Sequence, residues 1–225
     1  MSTIANTPLV DQTAEFVREQ LKSNDASHDW SHIERVWTIA RRLAQEEGVP
    51  AASIEVVDLA ALLHDIDDWK YQDENGGETK RAEKFLRSQN ASDELIAQVM
   101  KIINGMGFKE ELGGTPRDVS TEFGCVQDAD RLDAIGAIGI ARCFTYGGFK
   151  KRALYDPEIP CTAEVTQEQY MDKSRAAPTI NHFYEKLLKL CGMMKTDAGR
   201  RLADERHKFM EQFLEQFHNE VEGRA

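Results

Sequence analysis

Apolar residues recur every three or four positions along most of this chain, and this helical spacing restricts the fold more than any other feature. The pattern is clearest between Ser31 and Gly48, where the apolar residues form one stripe: Ile33, Val36, Trp37, Ala40, Leu43 and Ala44. Ser31 and Glu34 match a capping box, and Gly48 suits a C-terminal stop. The stretch is therefore predicted to be an amphipathic helix.

The same periodicity predicts helices along the rest of the chain. Pro50 suits the first turn of a second helix, which has one apolar face composed of Val56, Leu59, Ala60 and Leu63. Further helices are predicted over Thr79–Ser88, Ser92–Ile103, Phe123–Phe144, Ile180–Leu190 and Thr196–Val221. Glycine and proline predict loops over Asp73–Glu78 and Tyr146–Gln167.

No alternation of strands with helices and no internal repeat interrupts this pattern. The sequence therefore predicts an all-α protein with a single domain over residues 1–225. Its core would span residues 27–145, with C-terminal helices over residues 178–221 packed on it. The long last helix either covers this core or pairs with a second copy, so a monomer and a homodimer are both compatible with the sequence.

Charge and composition restrict the partners and the compartment. The formal net charge of −11 argues against binding a nucleic acid polymer, which usually requires a basic surface. No stretch reaches the roughly 18–20 apolar residues that span a bilayer, and no secretory signal is evident at the start. The cysteines form no CxxC pair, as reduced thiols would: Cys125, Cys143, Cys161 and Cys191. We therefore expect a cytoplasmic protein with no membrane partner.

Carboxylates in an otherwise apolar helix are the first sign of chemistry. Asp128, Asp130 and Asp133 lie in the segment VQDADRLDAIGAIGIAR, where such charges are costly unless they are paired or bound to a metal. Asp130 and Asp133 share one side of the helix, whereas Asp128 lies about 200° away from Asp130. A divalent cation would relieve the repulsion between like charges at this position.

Two histidines in apolar helices complete the pattern. His32 lies on the inner stripe of its helix, and His64 and Asp65 follow the apolar run DLAALL. Imidazoles and carboxylates together are suitable ligands for manganese, iron, cobalt or nickel. Thiolates, which favour structural zinc, are absent from these motifs.

The order His32, His64-Asp65, Asp130 resembles the HD superfamily of metal-dependent phosphohydrolases. The resemblance covers most of the chain, from about Ser27 to Leu190, in five blocks: SHDWSHIERV, ALLHDIDDWK, GGETKRAEKFL, VQDADRLDAIGAIGIAR and INHFYEKLLKL. These blocks are similar to one subgroup, which includes bacterial nucleotide pyrophosphohydrolases. The resemblance implies a compact helical HD-domain bundle with extra C-terminal helices.

The resemblance also implies one divalent metal ion held by His32, His64, Asp65 and Asp130. Manganese is favoured, and magnesium, cobalt, nickel, iron and zinc are also compatible. Asp130 is chosen because ADRL is the part of its block that matches the superfamily, with Asp128 as the alternative ligand. Asp133 is expected to orient a ligand or a basic side chain.

An attacking water needs a base in addition to a metal. Asp68 is the first candidate, because it lies one turn after His64 and matches a position where related HD hydrolases carry an acidic residue. Asp67 is the second candidate. The alternative is that both are solvated residues beyond a helix end.

Substrate phosphates need cationic contacts. Lys80 is the favoured contact, since it follows the glycines at 76 and 77, and Arg81 and Arg35 are further candidates. His28 and Asp29 either brace His32, line the entrance or serve a local turn. Asn181 and His182 belong to a family-like block without chemistry that their residue types reveal.

The substrate implied by the nearest subgroup is a small phosphorylated compound, and specifically a nucleotide. We expect cleavage of nucleoside or deoxynucleoside triphosphates to a monophosphate and pyrophosphate. The alternatives are a nucleoside 5′-monophosphate phosphatase, another small phosphoester hydrolase, and a non-catalytic metal-dependent binding module.

Overall fold

The computed structural model describes residues 5–67, 80–107, 119–162 and 177–224. These residues form nine α-helices and no strand, so the all-α prediction is confirmed: α1 Pro8–Gln20, α2 Trp30–Glu46, α3 Ile54–Leu63, α4 Arg81–Ser88, α5 Asp93–Gly105, α6 Thr121–Asp133, α7 Gly136–Phe149, α8 Asn181–Glu185 and α9 Asp197–Val221. Two 3₁₀ helices, Ala51–Ser53 and Leu187–Met193, precede α3 and α9. The predicted loop Asp73–Glu78 lies outside the described residues.

Helix α3 forms the centre of the bundle. Every residue from Ile54 to Leu63 except Glu55 is buried, and the helix packs against α1, α2, α5 and α6. Helix α2 packs against both α3 and α6, and α9 packs against α6 and α7 and, less extensively, against α2. The C-terminal helix thus contacts the core, while the number of domains remains a prediction.

The start of α2 differs from the predicted capping box. The helix begins at Trp30, and Asp29 is its N-cap, because the Asp29 carboxylate accepts a hydrogen bond from the backbone N–H of His32 at 3.1 Å. Asp29 therefore accepts a hydrogen bond from the first turn of the helix, the role that was expected of Ser31. This cap fixes the first turn, in which His32 lies.

The helix predicted over Phe123–Phe144 is two helices, α6 and α7. α6 ends at Asp133, and Gly136, the first residue of α7, adopts a φ of +72°, a left-handed conformation that favours glycine. A side chain at Gly139 would place its Cβ 2.2 Å from the backbone oxygen of Ala134, so glycine also permits the close return of the chain. Because α7 continues to Phe149, the start of the predicted loop Tyr146–Gln167 is helical.

Other boundaries also differ from the predictions. The helix predicted over Ile180–Leu190 is interrupted at Lys186, whose backbone is non-helical, and continues as a 3₁₀ helix. Pro50 precedes the 3₁₀ helix Ala51–Ser53 rather than opening α3 itself. Helix α1 was not predicted, although Thr7 and Pro8 give it a standard cap and first residue.

Asp128 ties α6 to the beginning of α9. Its buried carboxylate accepts hydrogen bonds from the backbone N–H of Lys195 at 2.9 Å and from both the N–H and the hydroxyl of Thr196, at 2.8 and 2.7 Å. The carboxylate lies so close to α9 that a Cβ at Gly199 would approach it within 2.3 Å. These contacts explain a carboxylate in the apolar helix without a metal.

We predict that Asp128→Ala lowers the free energy of unfolding by about 2–3 kcal/mol, because the donors of Lys195 and Thr196 lose their charged acceptor. Urea denaturation followed by circular dichroism measures this change. Asp197→Ala, which removes an exposed carboxylate from the same helix start, should cost about 1 kcal/mol or less. Equal losses for the two variants would contradict the proposed anchoring role of Asp128.

Candidate metal centre

Three helices bring the predicted metal ligands together. His32 lies in the first turn of α2, His64 and Asp65 directly follow α3, and Asp130 lies in the last turn of α6. Since α2, α3 and α6 pack against one another through apolar faces, the positions of these four residues are set by the core of the bundle. The site is therefore built mainly on packed helices rather than on loops.

The four side chains converge on one point. The Nε2 atom of His32 lies 3.3 Å from Asp65 Oδ2, and that of His64 lies 3.4 Å from Asp65 Oδ1. Each of these Nε2 atoms lies 3.7 Å from Oδ1 of Asp130. One ligand atom each from His32, His64 and Asp130 lie within 4.8 Å of one another, close enough to share a single ion.

The orientation of the two imidazoles suits metal coordination. The Nδ1 atom of His32 lies 2.7 Å from Oδ2 of Asp133, and that of His64 lies 2.8 Å from the backbone oxygen of Ala61. In both rings, therefore, Nδ1–H donates to this support and Nε2 is the atom that faces the cluster. Both Nε2 atoms are buried and make no hydrogen bond, and a metal ion at the shared point would satisfy them.

The cluster is closed on the imidazole side and open on the carboxylate side. The side chains of His32 and His64 are 0% and 3% exposed, whereas those of Asp65 and Asp130 are 17% and 35% exposed. A ligand from solvent would therefore reach the cluster past the two carboxylates.

Proton and metal compete for this cluster. Burial by itself lowers the pKa of His64, but the carboxylates of Asp65 and Asp130 outweigh it and raise that pKa to about 9. Burial favours the neutral form of Asp65, yet His64, His32 and, more weakly, His28 hold its pKa well below the usual range. Without a metal, a proton on His64 thus balances part of the carboxylate charge, and metal binding must displace it.

Asp133 supports His32 from behind. Its buried carboxylate also accepts hydrogen bonds from Arg35 at 2.7 and 3.0 Å and lies 3.3 Å from the guanidinium of Arg142. Burial would raise the pKa of Asp133, but the hydrogen bonds from His32 and Arg35 lower it to about 2. Asp133 therefore stays charged and orients both a candidate ligand and a basic side chain, whereas one or the other was expected from the sequence.

The candidate base and phosphate contacts are placed only in part. Asp68 lies outside the described residues. Asp67 accepts hydrogen bonds from the backbone N–H groups of Arg81 at 3.0 Å and of Ala82 at 3.3 Å, and its carboxylate pairs with the Arg81 side chain. Asp67 and Arg81 thus hold the start of α4, and Lys80 is exposed immediately before that helix.

Some residues near the site were missed or given no role by the sequence. Arg142, on α7, was missed; it reaches Asp133 and also donates to the backbone oxygen of Ser27, a contact between segments 115 residues apart that no local pattern reveals. Asn181 received no role; its amide donates to the backbone oxygens of Ile159 and Pro160 and holds the segment after α7. That contact accounts for Asn181 structurally.

Comparison with known proteins identifies the family. The HD domain family matches residues 29–135, which include all four candidate ligands. YpgQ of Bacillus subtilis strain 168 is 36% identical over 213 residues, covering 95% of this chain and 94% of YpgQ. The chain belongs to the HD domain family.

Solved structures agree with this assignment. A protein from Lactobacillus plantarum is 35% identical and superposes with a TM-score of 0.85 over 97% of this chain and 99% of its own. The structure of B. subtilis YpgQ in complex with ADP superposes with a TM-score of 0.72 at 34% identity, over 96% of this chain and 100% of its own. An HD-superfamily hydrolase from Bacillus thuringiensis is 39% identical with a TM-score of 0.68, over 95% and 96% of the two chains.

None of the described helices is both long enough and apolar enough to cross a bilayer.

We predict that the protein binds one divalent metal ion. Loss of a residue that only supports a metal ligand typically lowers metal affinity about 10–100-fold. Asp65→Asn should lower the affinity by more than this, because it changes a ligand itself. Calorimetric titration with Mn²⁺ and the metal content after dialysis measure the effect. Asp197→Asn is the matched control, because it makes the same chemical change at an exposed carboxylate at the start of α9. Metal binding that survives in Asp65→Asn would overturn the assignment.

A second prediction concerns Asp133. The charge of Asp133 orients His32 and makes its imidazole a stronger electron-pair donor to a metal. Asp133→Asn should therefore lower metal affinity about 10–100-fold, although all four candidate ligands remain. The absorption spectrum of the Co²⁺-loaded protein should change as well, since the ring of His32 is less constrained. An unchanged affinity and spectrum would show that Asp133 has no influence on the cluster.

Proposed function

We propose that this protein is a metal-dependent phosphohydrolase that acts on small phosphorylated compounds. The favoured substrates are nucleoside or deoxynucleoside triphosphates, cleaved to a monophosphate and pyrophosphate. The observation that carries the proposal is the pair of buried imidazole Nε2 atoms that face two carboxylates without hydrogen-bond partners. Such an arrangement is costly in a protein interior unless it holds a cation.

The residues His32, His64, Asp65 and Asp130 would hold the metal in this proposal. A divalent ion bound there supplies a Lewis acid that draws charge from a phosphate oxygen and acidifies water. Four protein ligands leave coordination positions for solvent and substrate around the metals that this ligand set suits. Manganese is our favoured metal.

Cationic side chains near the cluster would receive the phosphate charge. The guanidinium of Arg35 is held by Asp133 close to His32, and its side chain is one-third exposed. Arg35 thus offers a positive charge at the site although the whole chain carries a net charge of −11. Lys80 and Arg81, at the start of α4, remain candidate contacts for the more distant phosphates.

Asp68 is our proposed base. Asp67, the second candidate, is engaged by the backbone of α4, and this contact favours a structural role for it. Asp67 also links α4 to the segment that directly follows the two ligands His64 and Asp65. Asp68 was ranked first from the sequence, and the engagement of Asp67 supports that order.

A nucleotide substrate is supported by the relatives. YpgQ, which this chain resembles over almost its entire length, has been crystallised with ADP. The blocks around the ligands also resemble the nucleotide pyrophosphohydrolase subgroup. The four cysteines are unpaired, as we expect of a cytoplasmic enzyme acting on the nucleotide pool.

The test is a substrate screen with purified protein. With Mn²⁺, we expect pyrophosphate release from nucleoside or deoxynucleoside triphosphates, and loss of at least about 100-fold in kcat/KM for Asp65→Asn, because a metal ligand is removed. The screen includes Mg²⁺, Co²⁺, Ni²⁺, Fe²⁺ and Zn²⁺, and reads phosphate and pyrophosphate separately. Asp197→Asn, an exposed and distant change, should retain the wild-type rate.

Three outcomes would contradict parts of the proposal. Turnover that survives Asp65→Asn would exclude the cluster as the catalytic centre. Release of phosphate alone from nucleoside monophosphates would replace the favoured substrate with the monophosphatase alternative. A metal that raises the melting temperature without turnover of any phosphorylated compound would indicate a binding module.

A further inference from the structure

Large apolar side chains are exposed on one side of the bundle. Among the described residues there are five of them, and all lie on α7, on α9 or shortly after α7: Ile138, Phe149, Leu154, Phe209 and Val221. Each of these residues is between 43% and 60% exposed. Single exposed apolar residues are common on protein surfaces, whereas a group of them on one side indicates a contact with another surface.

The outward face of α7 has no charged residue along its whole length. The exposed residues of this helix recur every three or four positions and therefore share one side, the α7 face: Ala137, Ile138, Ala141, Thr145, Gly148 and Phe149. At 1.5 Å per residue, the α7 face extends for about 18 Å. Charged residues make up 30% of the chain, and a helix face that meets only solvent usually carries some of them.

Phe209 of α9 extends the α7 face. A Cβ at Gly136 would lie 3.0 Å from Arg206, and the rings of Phe144 and Phe213 are 5.9 Å apart between centroids. The helices α7 and α9 therefore run side by side in the same direction. Since Phe209 lies between Arg206 and Phe213 on α9, its exposed ring is beside the first half of α7 and continues the apolar surface.

The size of this surface suits an interface between two proteins. A phenylalanine offers about 150–250 Å² for burial, so the half-exposed rings of Phe149 and Phe209 leave about 100 Å² each uncovered. With Ile138 and the small residues of the α7 face, the uncovered area is on the order of 400 Å². A stable interface buries about 800 Å² from each partner and has an apolar core with a polar rim. The α7 face and Phe209 are therefore large enough to form the core of such an interface.

Opposite charges border the two ends of the α7 face. Lys150 and Arg152 follow its C-terminal end, where both contact the ring of Tyr146, and neither forms an ion pair with a described residue. Glu205 is exposed one turn before Phe209 on α9, close to the N-terminal end of α7. It forms no ion pair within the described part of the chain either. The two ends thus offer unpaired charges of opposite sign.

A second copy of this chain matches both features. Each copy carries a formal net charge of −11, so two copies can approach closely only through a surface that lacks this excess of acid. A two-fold axis between Ala141 and Thr145 would make the two α7 helices antiparallel. The small residues at the centre would let the helices come close, and the cations that follow one helix would meet Glu205 of the other copy.

We propose that this protein forms a homodimer in which the α7 faces of two copies pack antiparallel, with Lys150 and Arg152 of each copy paired with Glu205 of the other. The surface recognised is an apolar helix with opposite charges at its two ends. The inference is independent of the proposed function, since the α7 face includes no candidate metal ligand or phosphate contact. The main contact is α7, whereas the sequence pointed only to the last helix as a dimer contact.

Sedimentation equilibrium of the full chain measures the dimer directly. We expect twice the mass of one chain at micromolar concentration, and a rise of at least about 100-fold in the dimer Kd for Ala141→Lys, because two lysines would meet near the axis. Ala97→Lys is the matched control, since it makes the same change at an exposed alanine of α5. It should leave the dimer Kd unchanged, and circular dichroism checks the fold of both variants.

A pair of charge variants tests the orientation of the two copies. Glu205→Lys brings like charges together at both ends of the dimer, and so does the double variant Lys150→Glu/Arg152→Glu, so each alone should raise the dimer Kd about tenfold or more. When the two variants are mixed, opposite charges face each other again at both ends. We therefore expect heterodimers with a Kd within about threefold of the wild-type value.

A wild-type protein that stays monomeric at about 100 μM would overturn the proposal and leave the α7 face to a different partner. A dimer that persists in a folded Ala141→Lys would place the contact on another surface. Charge variants that form no heterodimer on mixing would overturn the antiparallel pairing, and this result does not depend on whether Ala141→Lys folds.

Discussion

The main constraint on this structure is electrostatic, because the carboxylates of Asp65 and Asp130 lie together beside two buried imidazoles. The two carboxylates repel each other, and partial burial strengthens that repulsion. In the absence of a metal, a proton on His64 offsets part of the carboxylate charge. The attraction of the two carboxylates for this proton raises the pKa of His64 to about 9. A divalent cation would offset the charge more fully and would satisfy both Nε2 atoms at once. The apolar helix α3 then supplies the stability that keeps this arrangement in place.

The residues that bond the two Nδ1 atoms hold the imidazole rings in this orientation. Asp133 and the carbonyl of Ala61 fix the two Nδ1 atoms, so each ring has only one edge to offer the cluster. Asp133 is in turn held by Arg35 and Arg142, whose positive charges balance its own. Arg35 and Arg142 therefore hold Asp133, and through it His32, in place. A phosphate that reached the cluster would meet charges that are already oriented.

The sequence predicted the parts of the fold and site that local patterns encode. The apolar spacing gave the position of α2 and the inner face of His32, and the spacing of Asp130 and Asp133 gave their shared side of α6. Contacts between distant segments could not be predicted in this way: Arg142 meets the backbone of Ser27, and Asp128 meets Thr196, only after the helices have packed. The break between α6 and α7 was missed because apolar spacing continues across it, while the left-handed conformation of Gly136 at the start of α7 is invisible in that spacing.

Asp128 and Asp130 lie on different sides of α6 and make different contacts. The hydrogen bonds of Asp128 to the start of α9 matter for any chain that is shortened at its C-terminal end. A chain ending before Lys195 would lack the N–H groups and the hydroxyl that bond this carboxylate inside the protein. Water entering to replace them would loosen the helix that carries Asp130 on its opposite side. The C-terminal segment is thus a structural requirement of the cluster although none of its residues contributes a candidate ligand, and truncation should damage the site from behind.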